Sequence, residues 1–232
     1  MTLYLIPVPL ADDTAEQVLP AQIKETVAIL DVFFVENLRS ARRFISSLKL
    51  GKVIDNLTLY ELHKDTPEAE TLAQLKALHQ SGQSAGVLSE AGCPGVADPG
   101  AVAVKLAHQL GFEVLPLVGP SSILLALMAS GMNGQSFVFH GYLPIDRNER
   151  VAALKQLEKE MQTRKQTQIF IETPYRNQHL FTDLIQTCQP NTRLCVACNL
   201  TASDGFARTL AMKDWKNTPI ELHKKPTIFI IG

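Results

Sequence analysis

Hydrophobic positions in the first half of the chain form short apolar runs, separated by longer stretches in which apolar residues recur at helical spacing. The runs predict strands at Leu3–Val8, Val32–Val35, Leu57–Leu62, Ala85–Ser89 and Val114–Val118. The stretches predict helices from Pro20 to about Leu30, through Arg39 and Phe44, from Thr66-Pro67 to about Gln80, over Ala101–Leu110 and over Ile123–Ser130. This alternation is typical of a mostly parallel sheet with helices on both faces.

Local signals place the ends of several helices. Thr66 and Asp98 are predicted N-caps, each followed by a proline at the first helical position. Gly111 and Gly131 are predicted to end helices.

The pattern loosens after about residue 115. Strands are predicted at 137–142, 168–172, 193–198 and 227–231, and helices at 146–162 and 175–187. We therefore predict an α/β protein with two domains, an N-terminal one over residues 1–116 and a C-terminal one with a mixed sheet over residues 117–232.

The composition argues against a chain that is disordered throughout and against one that binds nucleic acid through its overall charge. Hydrophobic residues make up 46% and charged residues 19%, as in a folded globular chain. The net charge of -1 gives no global attraction to nucleic acid. Local basic clusters remain, Arg39, Arg42 and Arg43 in one and Arg147 and Arg150 in another, and each has the alternative interpretation of a solvated helix face.

The segment from Val114 to Ile145 contains no Asp, Glu, Lys or Arg. Glycines and a proline interrupt it, so it predicts buried elements and an interface between domains or subunits, not a membrane span. The N-terminus lacks the features of a signal peptide, which favours a cytoplasmic protein with reduced thiols.

The pair Cys195 and Cys198 has a spacing that zinc sites use. However, the two residues lie three apart on a predicted strand, where side chains point to opposite faces. We therefore predict no metal site.

Residues 89–100 read SEAGCPGVADPG and follow a predicted strand. In open α/β sheets, ligands bind beyond the carboxyl ends of strands, and glycines let the backbone approach them closely. The usual phosphate-binding fingerprints are absent. Glu90 and Asp98 instead suit a ribose hydroxyl, an ammonium group or a cationic centre, as in S-adenosylmethionine, although a purely structural loop has the same features.

This loop resembles the Ser-Asp-Ala-Gly-Thr-Pro…Asp-Pro-Gly signature of the tetrapyrrole methylase superfamily, and of its ribosomal RNA small subunit methyltransferase I branch in particular. Other segments resemble motifs of that branch in order and spacing. They are Leu3–Pro9, Glu36-Asn-Leu-Arg39, His63, Pro116–Ser122, Phe139–Pro144 and Ile169–Arg176. Together they cover nearly the whole chain.

The resemblance implies a homodimeric methyltransferase that binds S-adenosylmethionine in a cleft between its two domains and methylates the 2′-hydroxyl of a ribose in small-subunit ribosomal RNA. It implies that the cofactor is surrounded by Pro7, Ser89, Glu90, Ala91, Gly92, Cys93, Ser121, Ser122, Ile171, Leu200 and Thr227.

A base near the acceptor hydroxyl would help methyl transfer, and Glu36, His63 and Glu172 are candidates. Arg39 and Arg176 are candidates for holding a substrate phosphate. The motif match favours Glu36, Arg39, Glu172 and Arg176 as catalytic residues. Four of the candidates also have a structural interpretation. Glu36 and Arg39 could form an ion pair at a helix start. His63 could stabilise a turn, and Glu172 could cap the segment that follows it.

The chain departs from the branch on the side expected to face the substrate. Leu10–Asp13 replaces Ile-Gly-Asn-Leu, Cys198–Ala202 replaces Arg-Glu-Leu-Thr-Lys, and Lys224–Pro226 replaces Lys-Gly-Glu. Two alternatives therefore remain open: another acceptor, such as a tetrapyrrole, a different RNA or a small molecule, or a non-catalytic relative that binds cofactor or RNA.

Overall fold

The computed structural model describes residues 1–232 and divides into two compact units, Met1–Ser121 and Ser122–Gly232. The elements of the first unit follow one another in chain order. They are β1 (Thr2–Ile6), α1 (Ala15–Val18), α2 (Ala21–Ile29), β2 (Val32–Val35), α3 (Leu38–Ser47), a 3-10 turn (Ile54–Asn56), β3 (Thr58–Glu61), α4 (Glu68–Ser81), β4 (Ala85–Leu88), α5 (Gly100–Leu110) and β5 (Glu113–Pro116).

The five strands of the first unit form one parallel sheet in the order β3-β2-β4-β1-β5. Successive strand residues alternate between its two faces. In β2, Phe34 packs in a core cluster with residues of α4 and α5, whereas Phe33 packs in a second cluster with residues of α2 and α3. Helices therefore cover both faces of this sheet, as the sequence predicts.

The second unit contains α6 (Ser122–Ser130), β6 (Phe137–Tyr142), α7 (Arg147–Arg164), β7 (Thr167–Ile171), α8 (Asn177–Thr187), β8 (Arg193–Cys198), β9 (Phe206–Ala211), α9 (Met212–Trp215) and β10 (Thr227–Ile231). Its sheet has the order β6-β7-β10-β8-β9. Only β6 and β7 are parallel, and the other pairs are antiparallel. The predicted mixed sheet is confirmed, but β9 and α9 escaped prediction.

Strand β8 separates the two cysteines that suggested zinc. Cys195 packs in a cluster with residues of α6, and Cys198 packs in another with residues of α7 and α8. Burial raises the pKa of both thiols. The two side chains thus lie on opposite faces of the sheet, as their spacing predicts.

Two predicted helix starts are shifted by one residue. Pro67 and Pro99, not Thr66 and Asp98, are the N-cap residues of α4 and α5. The Thr66 hydroxyl accepts a hydrogen bond from the His63 N–H, so it stabilises the preceding turn. The Asp98 carboxylate still accepts from the N–H of Gly100, the first helical residue, so it stabilises the helix start from one position further away.

The first unit ends after Ser121, five residues beyond the predicted division after Pro116. Residues of this segment contact the first unit: the Leu117 N–H donates to the Leu5 carbonyl, and Gly119 lies against Pro7. These contacts attach the segment after β5 to the loop after β1.

None of the helices combines the length and the apolar composition that spanning a membrane requires.

Gly86 in the middle of β4 tests the packing of the first sheet. A Cβ there would lie 2.7 Å from side-chain carbons of Ile6 and Phe33, both fully buried. We expect Gly86→Ala to lower the free energy of unfolding by about 1–3 kcal/mol, because overpacking a dense core forces its neighbours to move. Gly134→Ala, where a Cβ meets nothing within 4 Å, is the control. Equal unfolding midpoints in urea for both variants would contradict this prediction.

Candidate functional site

The parallel sheet of the first unit brings the loops after β1, β2, β4 and β5 to one edge, because parallel strands all end on the same side. β1 pairs with β4 on one side and β5 on the other, and β4 also pairs with β2. Four segments that are distant in sequence therefore become neighbours there. They are 7–9, 36–37, 89–99 and 117–121.

Two backbone hydrogen bonds join the first and third of these segments. The Val8 N–H donates to the Gly92 carbonyl at 3.0 Å, and the Gly92 N–H donates to the Val8 carbonyl at 3.1 Å. Gly92 has φ +77°, a conformation that glycine adopts without strain. The start of the 89–100 loop is thereby held beside Pro7-Val8-Pro9.

The segment after β5 closes on the same loop. The Cys93 thiol donates to the Pro120 carbonyl at 3.4 Å. Gly119 lies so close to Pro7 that a Cβ would be only 2.1 Å from the proline Cβ. A side chain at residue 119 would push these loops apart. Glycine is therefore required here because the two loops approach closely, not because the backbone needs flexibility.

Glu36 and Glu90 meet at the carboxyl ends of β2 and β4. The Glu90 N–H donates to Glu36 Oε2 at 3.2 Å, and the Glu36 N–H donates to the Leu88 carbonyl. The side chain of Glu90, where the superfamily signature has Asp, is exposed. Burial raises the pKa of Glu36 above its usual 4.5, against the lowering effect of the Glu90 N–H, and the charges of Glu90 and Asp98 raise it further.

Asp98 organises the other end of the 89–100 loop. Its Oδ1 accepts from the N–H groups of Gly95, at 2.8 Å, and Gly100, at 2.7 Å. Its Oδ2 is buried without a hydrogen-bond partner. Burial raises the pKa of this carboxyl, although both N–H groups act in the opposite direction. Asp98 also lines a small recess with Glu36 and Ser89.

Helix α3 begins two residues after Glu36, with a cap that sequence reasoning missed. Asn37 is the N-cap, and its Oδ1 accepts from the N–H groups of Arg39 and Ser40. An asparagine preceding a helical pattern is a known signal for this role. Arg39 makes no ion pair with Glu36, so the structural interpretation of these two residues is wrong, and the Arg39 side chain is exposed.

His63 lies in an exposed turn. Its Nδ1 accepts from the Asp65 N–H at 3.2 Å, and its own N–H donates to the Thr66 hydroxyl. These contacts match its structural interpretation as a residue that stabilises the turn.

In the second unit, the predicted site residues gather at one edge of the mixed sheet. Ile171 ends β7 and pairs with Ile228, and Thr227 begins β10 and pairs with Cys198 at the end of β8. Leu200 lies in the turn that follows β8. Antiparallel pairing thus brings together three candidates from distant parts of the sequence. Ser122 is the first residue of α6, and the next residue, Ile123, packs in the same cluster as Ile171 and Leu200.

Glu172, directly after Ile171, is paired with Arg176. Its Oε1 accepts from the guanidinium at 2.6 Å and from the Thr173 N–H at 2.7 Å, while Oε2 is buried without a partner. The side chain of Glu172 is 1% exposed and that of Arg176 30% exposed. The carboxylate therefore holds the arginine in one orientation, with part of the arginine side chain open to solvent.

The chain is similar to several curated proteins named ribosomal RNA small subunit methyltransferase I. It is 28% identical to one from Buchnera aphidicola, over 99% of this chain and 77% of that protein. It is 29% identical to one from Vibrio cholerae, over 86% of this chain and 65% of that protein. It is 31% identical to one from Mesorhizobium japonicum, over 89% of this chain and 66% of that protein. The chain thus spans slightly less than two thirds of the length of the last two.

Solved structures with the same fold are also methyltransferases. The methyltransferase CobJ superposes with a TM-score of 0.64 at 16% identity, covering 100% of this chain and 92% of CobJ. Uroporphyrin-III-C-methyltransferase from Thermus thermophilus superposes with a TM-score of 0.55 at 18% identity, covering 100% of this chain and 91% of that structure. No protein-family model matches the chain. The two-domain α/β fold expected from the sequence is confirmed, and the names of the curated relatives support the methyltransferase class.

Asp98 gives the site a measurable pH signature. Because its pKa in the folded protein is raised above 3.8, the folded state holds this proton more tightly than the unfolded state does. The contribution of Asp98 to stability is then fully present below pH 3.8 and is lost as the pH rises through the raised pKa. Asp98→Asn keeps an acceptor at Oδ1 and does not titrate, so we expect its stability relative to the native protein to improve between pH 4 and pH 7.

The measurement is the unfolding free energy of both proteins at the two pH values. Asp98→Ala, which also removes both hydrogen bonds to Gly95 and Gly100, is the comparison, and we expect it to be less stable than Asp98→Asn at both. If the difference in unfolding free energy between the native protein and Asp98→Asn does not change with pH, the raised pKa is refuted.

Proposed function

We propose, from the resemblance of this chain to the tetrapyrrole methylase superfamily, that it is an S-adenosylmethionine-dependent methyltransferase that modifies the 2′-hydroxyl of a ribose in small-subunit ribosomal RNA. The observation that carries this proposal is the 89–100 loop. It is held at the carboxyl edge of the parallel sheet by the Val8–Gly92 bridge and the Cys93–Pro120 contact. The similarity to ribosomal RNA methyltransferases over 99% of the chain supports the acceptor class.

The chemistry of the loop fits the proposed cofactor. Glu90 presents an exposed carboxylate, which suits the ammonium group or the ribose hydroxyls of S-adenosylmethionine. Close packing at Gly92 and Gly119 against neighbouring loops holds the site in shape before a ligand arrives. When bound, the cofactor supplies a methyl group on a positively charged sulfur. The proposed binding residues are Pro7, Ser89, Glu90, Ala91, Gly92, Cys93 and Ser121 in the first unit, and Ser122, Ile171, Leu200 and Thr227 in the second.

Glu36 is the proposed base for the acceptor hydroxyl. Its carboxyl is half-buried beside the 89–100 loop, and its raised pKa makes it a better proton acceptor than an exposed carboxylate. Glu172 is already occupied by Arg176 and the Thr173 N–H, so we assign it to orienting Arg176. Arg39 and Arg176 are the proposed contacts to substrate phosphates, since a guanidinium forms paired hydrogen bonds with phosphate oxygens.

We also propose that the protein acts as a homodimer in the cytoplasm. The superfamily resemblance suggests the dimer. Apolar side chains left exposed in the segment without charges support it, since a partner would remove them from water. These include Val118, Met128 and Ile145, with exposures of 72%, 79% and 72%.

Calorimetry with S-adenosylmethionine tests the cofactor assignment. We expect the native protein to bind it and Glu90→Gln to bind it about tenfold or more weakly, because a hydrogen bond to a charged group contributes roughly 1.5–3 kcal/mol. Glu90→Asp, the residue in the superfamily signature, should retain most of the affinity. Glu25→Gln, an exposed change on α2, is the control for loss of one charge. A native protein that does not bind the cofactor would refute the proposed function.

The acceptor is tested by labelling. Small ribosomal subunits from cells that lack the gene are incubated with native protein and methyl-labelled S-adenosylmethionine, and the RNA is digested to nucleosides. We expect label in a 2′-O-methylated nucleoside. Label on a base would exclude the ribose, and label confined to material other than RNA would exclude an RNA acceptor.

The same assay tests Glu36. We expect Glu36→Gln to lower the methylation rate by about 10²–10⁴-fold, which is the range of general acid–base catalysis, without weakening cofactor binding. In the native protein the rate should fall with decreasing pH around the raised pKa of Glu36, above 4.5, because the carboxyl must be deprotonated to accept a proton. An unchanged rate in Glu36→Gln would assign the proton to solvent or to another group.

A further inference from the structure

Helix α3 turns a row of arginines away from the sheet. Its inner face is anchored by Ala41 and Ile45, which are 5% and 1% exposed. Arg39 and Arg43, four residues apart, share the outer face, and Arg42 lies beside them. All three side chains are exposed. We call these three residues the arginine face.

The arginine face is largely without acidic partners. Arg39 and Arg42 form no ion pair, and Arg43 contacts only Asp12, at 3.4 Å. The side chains of Arg43 and Asp12 are 71% and 82% exposed, so water screens this pair and its net stabilisation is small. In a chain whose net charge is -1, three arginines within five residues form a local positive surface that is free to bind an anion.

A groove of about 630 Å³ lies between Arg43, at one side of the arginine face, and the 89–100 loop. One wall belongs to α3 and includes Ser40, Arg43 and Ser47. The segment from Val8 to Gln17 also lines the groove, as does Lys49, and this segment contributes three carboxylates, Asp12, Asp13 and Glu16; we call it the acidic wall. Ser89 and Glu90 also line the groove, so it connects α3 with the proposed cofactor residues.

The two walls favour different parts of one ligand. Arginines on an exposed helix face suit a row of phosphates, because each guanidinium offers a planar set of donors. The acidic wall disfavours a phosphate inside the groove, but its carboxylates accept hydrogen bonds from ribose hydroxyls and base amino groups. A ligand with anionic groups outside the groove and neutral donors within it matches single-stranded RNA, whose unpaired nucleosides can turn away from the phosphate backbone.

We infer that the arginine face and this groove form the RNA-binding track, in which Arg39, Arg42 and Arg43 contact phosphates of a single-stranded segment while the acceptor nucleoside occupies the groove beside Ser89 and Glu90. This inference rests on the proposed function, since it locates the RNA acceptor. It specifies where the RNA lies on the protein and requires that RNA to be unpaired. It also adds Arg42 and Arg43 to Arg39 as phosphate contacts.

Asp12 competes with RNA for Arg43. Its Oδ1 accepts from Arg43 Nη2 at 3.4 Å, and a phosphate would have to displace it. Asp12 lies in the segment Leu10–Asp13, where the chain departs from the ribosomal RNA branch that it resembles. Removing its charge should therefore strengthen RNA binding.

The test uses fluorescence anisotropy with a short single-stranded RNA, at several salt concentrations and with S-adenosylmethionine present. We expect Arg42→Gln and Arg43→Gln to weaken binding by about two- to fivefold each. Each should also reduce the slope of log affinity against log salt by about 0.7, the value for one phosphate contact on a single strand. Asp12→Asn should bind more tightly than the native protein.

Lys76→Gln is the matched control. It also removes one exposed positive charge, but it lies on α4, which packs on the opposite face of the sheet from α3. An equal loss of affinity in Lys76→Gln would show that only overall charge matters and would overturn the inference. Tighter binding of duplex RNA than of single-stranded RNA would overturn it as well.

The outcomes separate this inference from the proposed function. If the native protein methylates RNA but the arginine variants bind and methylate it normally, the RNA lies elsewhere and only the inference fails. If the native protein binds the cofactor but methylates no RNA, the proposed RNA acceptor fails, and the track fails with it. Thermal melting of each variant confirms that it folds, since exposed substitutions of this kind leave stability nearly unchanged.

Discussion

The parallel pairing of β1 with β4 and β5 is the constraint on which the candidate site of the first unit depends. Because these strands run in one direction, the loops that follow them must leave at a common edge. The bridge between Val8 and Gly92 and the contact between Cys93 and Pro120 are consequences of that proximity. They satisfy backbone groups that would otherwise need water, and they hold the loops in shape before any ligand arrives.

The same edge concentrates acidic groups in a partly buried place. Glu36 and Asp98 both lose hydration there, and burial is the largest cause of the raised pKa of each. Backbone N–H groups of Glu90, Gly95 and Gly100 partly offset this cost. A rigid loop that holds carboxyl groups away from water is costly for stability alone, and it is typical of sites that bind a ligand or move a proton.

The second unit also brings candidate site residues together at one edge of a sheet, but it does so mainly by antiparallel pairing. Its sheet is mainly antiparallel, so the ends of β7 and β8 lie beside the start of β10. Ile171 and Thr227 are thereby placed at one edge, next to the ion pair of the buried Glu172 and the partly exposed Arg176. The pair has a geometric effect: the carboxylate restricts the rotation of a long side chain and leaves part of its charge exposed.

The sequence by itself determined the alternation of strands and helices, because short β-branched runs and helical spacing are local properties of the chain. It also separated Cys195 from Cys198, since the period of a strand is two. It missed β9 and the cap of α3. It also misplaced two helix starts by one residue, because a side chain such as Asp98 can stabilise a helix from more than one position.

The motif resemblance named Glu36, but no local pattern specifies its partner. Tertiary structure alone decided that Glu36 accepts from Glu90 and that the arginines of α3 lie beside a groove with acidic residues. Such contacts join residues far apart in sequence, and their burial and charge depend on the register of whole strands. These properties arise only when the sheet assembles, which is why they could not be predicted from the order of residues.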